Sequence, residues 1–483
     1  MKKILLFLAA TLFATSTFAE GYQVNNMSAR QTGMGHVGTA MKLNSESIFF
    51  NPAAAAFQKS KFDISVGFTG ILSSVRFRHI PSMENGYKDG ELQKSDNGLS
   101  TPIHAYFNYK PSDRWSVGLG FYVPDGSSMK WDDNWTGAHL VQEINLQAFT
   151  LQPTVAFKIA DNLSIGVGAT ITWGNFDLRR AALPVGKGNH VIADALHQIG
   201  AGLPNGMGAA LAPIEQDLRT NYNDVAVASA KLEGDANVAV GINAGIFWDI
   251  NDRWSMGLTW RSRMNMKVDA GTAHLLLNQG IQGYVDKLDP LTGGKIGQTL
   301  AGIQGANFAT ELPLPTSVTW GVSFRPNPKW EFGVDIQWVG WSAYKDLSVQ
   351  FDERLGNKEI YSVKNYANTI CYRVGAQYTP NNFLSLRLGA YVDESPVSSS
   401  YLNPETPSMA KLTYTAGFSL RPSKRMSIDV AYAYVTSCDP ERTGSYPIYG
   451  TNPQTGKEEL TDVFSGNYSL HANLFSIGMN FSF

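Results

Sequence analysis

Charge is scarce in this chain. Asp, Glu, Lys and Arg make up only 17% of its 483 residues, and 39 basic against 41 acidic side chains leave a formal net charge of −2. The chain offers neither a basic field for nucleic acid nor an acidic tail, and a nucleic-acid partner is not expected. Cysteine is sparse as well. Cys371 and Cys438 fall on segments expected to be non-neighbouring strands, so two free thiols are expected rather than a disulfide framework. After residue 19 no apolar run approaches the ~20 residues that a transmembrane helix needs. If the chain spans a bilayer it does so with strands, the other way to pair every backbone group in lipid.

Signatures of catalysis and metal binding are also lacking. The eight histidines are scattered, without metal-ligand spacing, and no G-x-S-x-G occurs. Ser127-Ser128-Met129-Lys130 and Ser408-Met409-Ala410-Lys411 match S-x-x-K without its companion motifs. Gly33-Met34-Gly35-His36-Val37-Gly38 matches G-x-G-x-x-G, but no strand precedes it and no βαβ unit surrounds it. No enzyme activity, cofactor or metal is expected.

What is present is aromatic and repetitive: 12% aromatics and 46 glycines suit one large object built from similar units. Residues 1–19 stand apart, with Lys2 and Lys3, an apolar core from Ile4 to Ala14, and Thr17-Phe18-Ala19 as a small-residue cleavage site. They are expected to be a secretory signal peptide, leaving a mature chain from Glu20. Residues 20–60 also differ from the remainder of the chain. They hold scattered glycines, no sustained alternation, and Asn51-Pro52-Ala53 leading into further alanines. Asn51 is expected to cap a short helix with Pro52 at its first position, where a missing N–H costs nothing. The expectation is a plug.

From Lys61 to Phe483 the sequence alternates with period two, as two-faced strands do. Short turns rich in Pro, Asn and Asp recur at 110–114, 160–162, 250–253, 325–329, 379–382 and 421–425, most of them leading into a large apolar residue such as Trp115, Trp254, Trp330 or Phe383. A ring at such an exit suits a membrane interface. Between them lie long polar connections near 80–100 and at 124–142, 181–224, 270–310, 352–363, 394–406 and 437–467. Short turns at one end and long loops at the other are the asymmetry of an outer-membrane barrel, and about fourteen antiparallel strands fit between them.

The charged residues test this, because Lys or Arg facing lipid at mid-bilayer costs ~2–4 kcal/mol. Trp254, Met256, Leu258 and Trp260 share one face while Arg261 and Arg263 take the other. Asp335, Arg373, Arg387 and Asp429 likewise oppose apolar neighbours. A soluble β-sandwich would alternate too; the leader, the aromatic turn exits and the loop asymmetry favour the barrel. The chain ends in an alternating strand with a terminal aromatic, Phe475 to Phe483.

These residues resemble the FadL/TodX outer-membrane transporters of long-chain fatty acids and other hydrophobic compounds. The resemblance runs along nearly the whole mature chain. It is carried by Glu20-Gly21-Tyr22-Gln23, Asn51-Pro52-Ala53, Asn243-Ala244-Gly245-Ile246, Trp260-Arg261-Ser262, Trp341-Ser342 and Asp393-Glu394-Ser395-Pro396-Val397. It implies an all-β fold: a fourteen-stranded barrel over 61–483 with an N-terminal hatch, residues 20–60, inside it. It also implies passive uptake through an opening in the wall, and a multi-pass monomer in outer-membrane lipid.

The opening is expected where the third strand, 115–123, meets Pro124-Asp125-Gly126: Pro removes a ladder donor and Gly permits a bend. A plain strand end before a loop is the alternative. The loops at 181–224 and 270–310 carry apolar residues at near-helical spacing, among them Val191, Ala195, Ile199, Met207, Leu211, Ile214 and Leu218, then Leu275, Ile281, Val285 and Leu288. They form either a ligand-capturing groove or a core of their own. Tyr22 matches the mature N-terminus that reaches the ligand in the family. Arg180, on the inward parity of its strand, aligns with a basic residue near the ligand head group, or else makes an ordinary lumen salt bridge. A second basic position falls at Ser348, with Lys345 three residues earlier; that departure favours a neutral ligand over a fatty acid. A general aqueous porin, and a surface receptor or adhesin using the long loops, stand as alternatives to uptake of hydrophobic molecules.

Overall fold

Alternation produces a wall with two unlike faces. Trp254, Leu258 and Trp260 point outward and are exposed, while Ser255 and Thr259 between them are buried inside. In the computed structural model, which describes residues 21–80, 90–185, 187–202, 209, 211–290, 294–357, 359–451 and 458–483, this pattern closes into a barrel of 14 antiparallel strands. The expected leader, and Met207, lie outside the described residues.

The wall begins with β1 (Phe62–His79), β2 (Ile103–Tyr109), β3 (Trp115–Lys130), β4 (Glu143–Ala160), β5 (Leu163–Ala181) and β6 (Ala228–Trp248). Five strands are interrupted: β2, which Leu92–Lys94 and Leu99–Ser100 extend along β1, β7 (Trp254–Arg261 and Met264–Leu277), β8 (Ala306–Leu314 and Ser317–Asn327), β9 (Trp330–Val339 and Asp346–Phe351) and β10 (Glu359–Val363 and Thr369–Tyr378). The last are β11 (Leu384–Asp393), β12 (Lys411–Ser423), β13 (Met426–Ser437) and β14 (Glu458–Ser482). Each pairs with its sequence neighbour, and β14 returns to β1 in register from Asp63↔Ser482 to His79↔Gly466. Closure pairs the last strand with the first, so neither presents an open edge to lipid, which is why a barrel is the form such strands take. An added strand, Arg442–Thr451, pairs only with the outer half of β14.

The inward charges are where alternation puts them: Asp335, Arg373, Arg387 and Asp429 are buried, while Phe332, Val334, Tyr372, Val374 and Leu386 face outward. Arg263 differs, falling on the break in β7 and being exposed rather than continuing the inward row. Cys371 is buried and Cys438 exposed, and neither is bonded to the other.

Residues 21–60 line the inside of this wall. They fold as α1 (Ala29–Thr32), a 3₁₀ turn (Asn44–Glu46), α2 (Ser47–Phe50) and a 3₁₀ helix (Pro52–Phe57). Asn51 caps the last, its side chain accepting from the Ala53 N–H at 3.1 Å with Pro52 at the first position. The long-loop end carries α3 (Lys187–Gly202) and α4 (Ala212–Thr220) between β5 and β6, and α5 (Gln279–Leu288) and α6 (Lys295–Ile303) between β7 and β8.

Candidate functional site

The wall is interrupted at one place that the interior fills. β2 pairs with β3 only from Tyr109↔Val117 to His104↔Tyr122. β3 does not end at Val123 as a plain strand would; it bulges between Tyr122 and Asp125 and continues along β4 to Lys130↔Glu143. Beyond Tyr122 its other edge has lost β2, and chain from the interior takes that place. The Val24 N–H donates to the Pro124 carbonyl at 2.8 Å, the Gly126 N–H donates to the Tyr22 carbonyl at 2.9 Å, and Gln23 sits opposite Asp125 as an antiparallel bridge. Pro124 has no N–H to offer, yet its carbonyl and the Gly126 donor are both satisfied. A cavity of about 50 Å³ adjoins the bulge, lined by Gln23, Phe49, Tyr122, Pro124, Asp125 and Arg261 among others.

Tyr22 anchors this insertion. It is 3% exposed; its hydroxyl donates to the Pro313 carbonyl, and its ring meets Trp341 edge-on at 4.8 Å and Tyr344 at 5.8 Å. Tyr366 packs on both of those rings, 4.9 Å from Tyr344 and 5.9 Å from Trp341. Burial is the main reason that the Tyr22 phenol is held well above its usual range, with Asp125 and then Tyr366 adding to it. It therefore stays a neutral donor.

Charge enters the same region from three elements. Lys364, fully buried in the break of β10, donates to Glu405 at 2.9 Å. Arg180, near the outer end of β5, lies within electrostatic reach of Glu405 and Tyr446, and among the described residues no carboxylate comes within ion-pair distance of it. Two cations thus face one carboxylate beside a set of rings, an environment able to hold an apolar body and satisfy one anionic head. Lys345 is elsewhere: its side chain is exposed, and only its carbonyl takes part, accepting from the N–H groups of Lys364 and Asn365 at 2.8 Å each. Ser348 bonds to Glu359. Lys364, Glu405, Trp341, Tyr344 and Tyr366 thus join a cluster in which the sequence singles out Tyr22 and Arg180; Trp341-Ser342 stands out in sequence as a motif alone.

Below this cluster the interior segment is bonded to the wall at many points. Asp335 accepts from the N–H groups of Gly38 at 2.9 Å and Thr39 at 3.0 Å. Asn51 donates to the Thr39 and Ile246 carbonyls, and Ser164 to the Ala53 carbonyl at 2.8 Å. Glycine makes the approach possible: a Cβ on Gly257 would fall 2.1 Å from the Thr39 carbonyl oxygen. Gly35, with φ of +65°, would place a Cβ 2.5 Å from the Val374 carbonyl oxygen, so the glycine-rich stretch serves close packing and a left-handed turn. Arg261 stacks over Phe49 at 3.9 Å. Glu46 is pushed up to about 7, chiefly by burial and next by Asp429.

At the long-loop end the helices do both things that their stripes allow. Ala193, Ile214, Leu218 and Val227 form a core joined by Ile281, Tyr284 and Leu288 from α5. Beside it a cleft of about 450 Å³ opens between α5, α6 and the end of β7, lined by Leu275, Leu277, Val285, Leu300 and Ala301 with Asp286 and Asp289 at polar positions. The side chains of Val191, Ala195 and Ile199 lie outside the described residues. Among the described residues no group of His, Cys, Asp and Glu is arranged to hold a metal.

Comparison with known proteins agrees with this architecture. The profile of the family described as outer membrane protein transport protein (OMPP1/FadL/TodX) matches residues 10–483. Outer membrane protein P1 of Haemophilus influenzae is 24% identical over 508 residues, covering 100% of both chains. The long-chain fatty acid transport protein of Escherichia coli is 23% identical over 447 residues, covering 90% of this chain and 91% of its own. Among solved structures, a Pseudomonas aeruginosa FadL homologue superposes with a TM-score of 0.71 at 19% identity, covering 96% of this chain and 100% of that one. The Pseudomonas putida toluene transporter TodX gives 0.64 at 15%, covering 96% and 99%. With a matching profile over almost its entire length and a closed barrel of the same kind, the chain belongs to the OMPP1/FadL/TodX family of outer-membrane transport proteins.

Proposed function

We propose that this protein takes up hydrophobic small molecules passively, by a route that starts in the cleft between α5 and α6, passes the ring cluster around Tyr22, and leaves sideways through the wall at Pro124. The observation that carries the proposal is the pairing of residues 22–24 with the unpaired edge of β3. A segment held there by two backbone hydrogen bonds closes a gap that its withdrawal would open. Exit into lipid suits the cargo, since an acyl chain crossing a water-filled pore meets ~0.8 kcal/mol per CH₂. Residues 20–60 act as the hatch, and Tyr22, with its ring and hydroxyl both engaged, is the hatch residue that senses the ligand.

Relatives named for fatty acid and for toluene transport bracket the ligand class. The Ser348 departure alone favours a neutral ligand, but Arg180, facing a region where a second cation, Lys364, is already paired with Glu405, favours a molecule with an acidic head. Long-chain fatty acids are the first candidates, and aromatic hydrocarbons would use the rings alone. The test is purified protein in liposomes, assayed for entry of a long-chain fatty acid, an aromatic hydrocarbon, a sugar and ions. Accelerated entry of either hydrophobic probe, with sugar and ions held back, is expected. Permeability to sugar and ions with hydrophobic uptake unchanged would overturn the proposal and identify an aqueous porin.

A further inference from the structure

The short-turn end of the barrel, the periplasmic end in barrels of this class, contains a polar cavity that the uptake route does not use. Its volume is about 190 Å³ and it lies at the seam between the hatch and the wall. From the hatch come Arg30 and Glu46; from the wall come Arg387 on β11, Arg421 on β12 and Asp429 on β13. Lys424 and Arg425, in the turn joining β12 to β13, stand at its mouth. Five cations thus face two carboxylates, and Asp429 is already engaged by Arg387, Ser419 and Ser427.

Arg387 is the centre of this arrangement. It is 3% exposed; its Nε donates to Gln377 at 2.7 Å and its Nη1 to Asp429 at 3.3 Å. Its Nη2 is buried with no acceptor among the described residues, and so is the Nε of Arg30. An unsatisfied guanidinium N–H in a buried site costs free energy, and such groups call for an acceptor. Oxygens of a tetrahedral anion suit this geometry, because guanidinium groups bind them through paired, charge-assisted hydrogen bonds. The excess of positive charge favours a phosphate over a singly charged carboxylate, and the polar lining and small volume exclude an acyl chain.

We propose that this cavity binds a phosphate group, held between Arg30 of the hatch and Arg387 and Arg421 of the wall. Bound there, the anion bridges hatch and barrel at the end opposite Tyr22. The phosphate arrives either as the free ion or as the head group of a phospholipid.

The experiment is calorimetric titration of inorganic phosphate into the full-length protein in a non-ionic detergent, for the natural sequence and for Arg30→Gln, Arg421→Gln and Lys329→Gln. Lys329, on a different periplasmic turn, removes one charge from the same end without touching the cavity. Arg387→Gln is left out because it would also strip Asp429 of its ion-pair partner; circular dichroism verifies that each variant keeps its strands. Saturable binding is expected, weakened about tenfold or more by Arg30→Gln and by Arg421→Gln, as loss of a charge-assisted hydrogen bond predicts, and unchanged by Lys329→Gln. No saturable phosphate binding by the natural sequence, or equal weakening in all three variants, would overturn the site. A parallel titration with a short-chain phosphatidic acid separates the sources: tighter binding than inorganic phosphate, sensitive to the same two arginines, assigns the lipid head group, and weaker binding assigns the free ion.

Discussion

The N–H of Val24 donates to the carbonyl of Pro124 across 2.8 Å, joining residues a hundred positions apart at the one place where β3 has lost its neighbour. Tyr22 holds that contact from the interior side. In Tyr22→Ala the hydroxyl bond to Pro313 and the edge contacts with Trp341 and Tyr344 are lost, while the ladder of the barrel is untouched. Hydrogen exchange at the Val24 and Gly126 amides should accelerate, with the protection of β11 to β13 unchanged. Ligand affinity should fall about tenfold, the effect of losing an aromatic contact and a hydrogen bond.

Arg180 offers a test of ligand class. Arg180→Gln should weaken binding of a long-chain fatty acid by about tenfold, since a desolvated carboxylate without a cation is costly, and should leave binding of an aromatic hydrocarbon as it was. Equal loss for both ligands would assign Arg180 a purely structural role.

Gly257 faces the Thr39 carbonyl, and a Cβ there would fall within 2.1 Å of it. The obstacle is a backbone carbonyl, which cannot swing aside as a side-chain tip can, so Gly257→Val should displace the hatch from its seat. The readout is ion conductance in planar bilayers, expected to rise above that of the natural protein.

Glu46 should make hatch seating depend on pH. Its carboxyl is pushed up to about 7 by burial first and Asp429 second, against the pull of Arg30. A raised carboxylate pKa means the seated state binds more protons than the released one. Seating is then strongest at low pH and weakens as pH rises from the ordinary carboxylate range through about 7, where the proton is lost. Ion leakage measured from about pH 5 to about pH 9 should increase across that window. In Glu46→Gln, which keeps an acceptor for the Ser65 hydroxyl, the profile should be shallower.

Much of this molecule is legible in local pattern. The alternation at Trp254–Trp260 places lipid and lumen faces without knowledge of any neighbour, and Asn51-Pro52 announces a helix start because capping is a matter of adjacent residues. The bulge in β3 is harder. Whether Pro124 ends a strand or bends it depends on who pairs with its far side, and that partner is Val24. The lysine of the ring cluster escapes for a similar reason: Lys345 and Lys364 both flank the interrupted halves of β9 and β10, and only pairing with Glu405, brought in by the connection between β11 and β12, draws one of them inward. The two loop stripes leave a choice between groove and core, and the helices make both, because one face packs on the neighbouring loop while another borders the cleft.

For cargo to pass, residues 22–24 must leave the edge of β3. Gln23 and Asp125 face each other as a non-hydrogen-bonded antiparallel pair, a geometry that brings Cα atoms to roughly 4.5 Å and lies within disulfide reach. Gln23→Cys with Asp125→Cys, in a Cys438→Ser background that removes the exposed native thiol, should form a cross-link. Uptake of fatty acid or aromatic hydrocarbon into liposomes should stop on oxidation and return on reduction, with each single-cysteine control indifferent to both treatments. Undiminished uptake by fully cross-linked protein would contradict a lateral exit gated by the hatch.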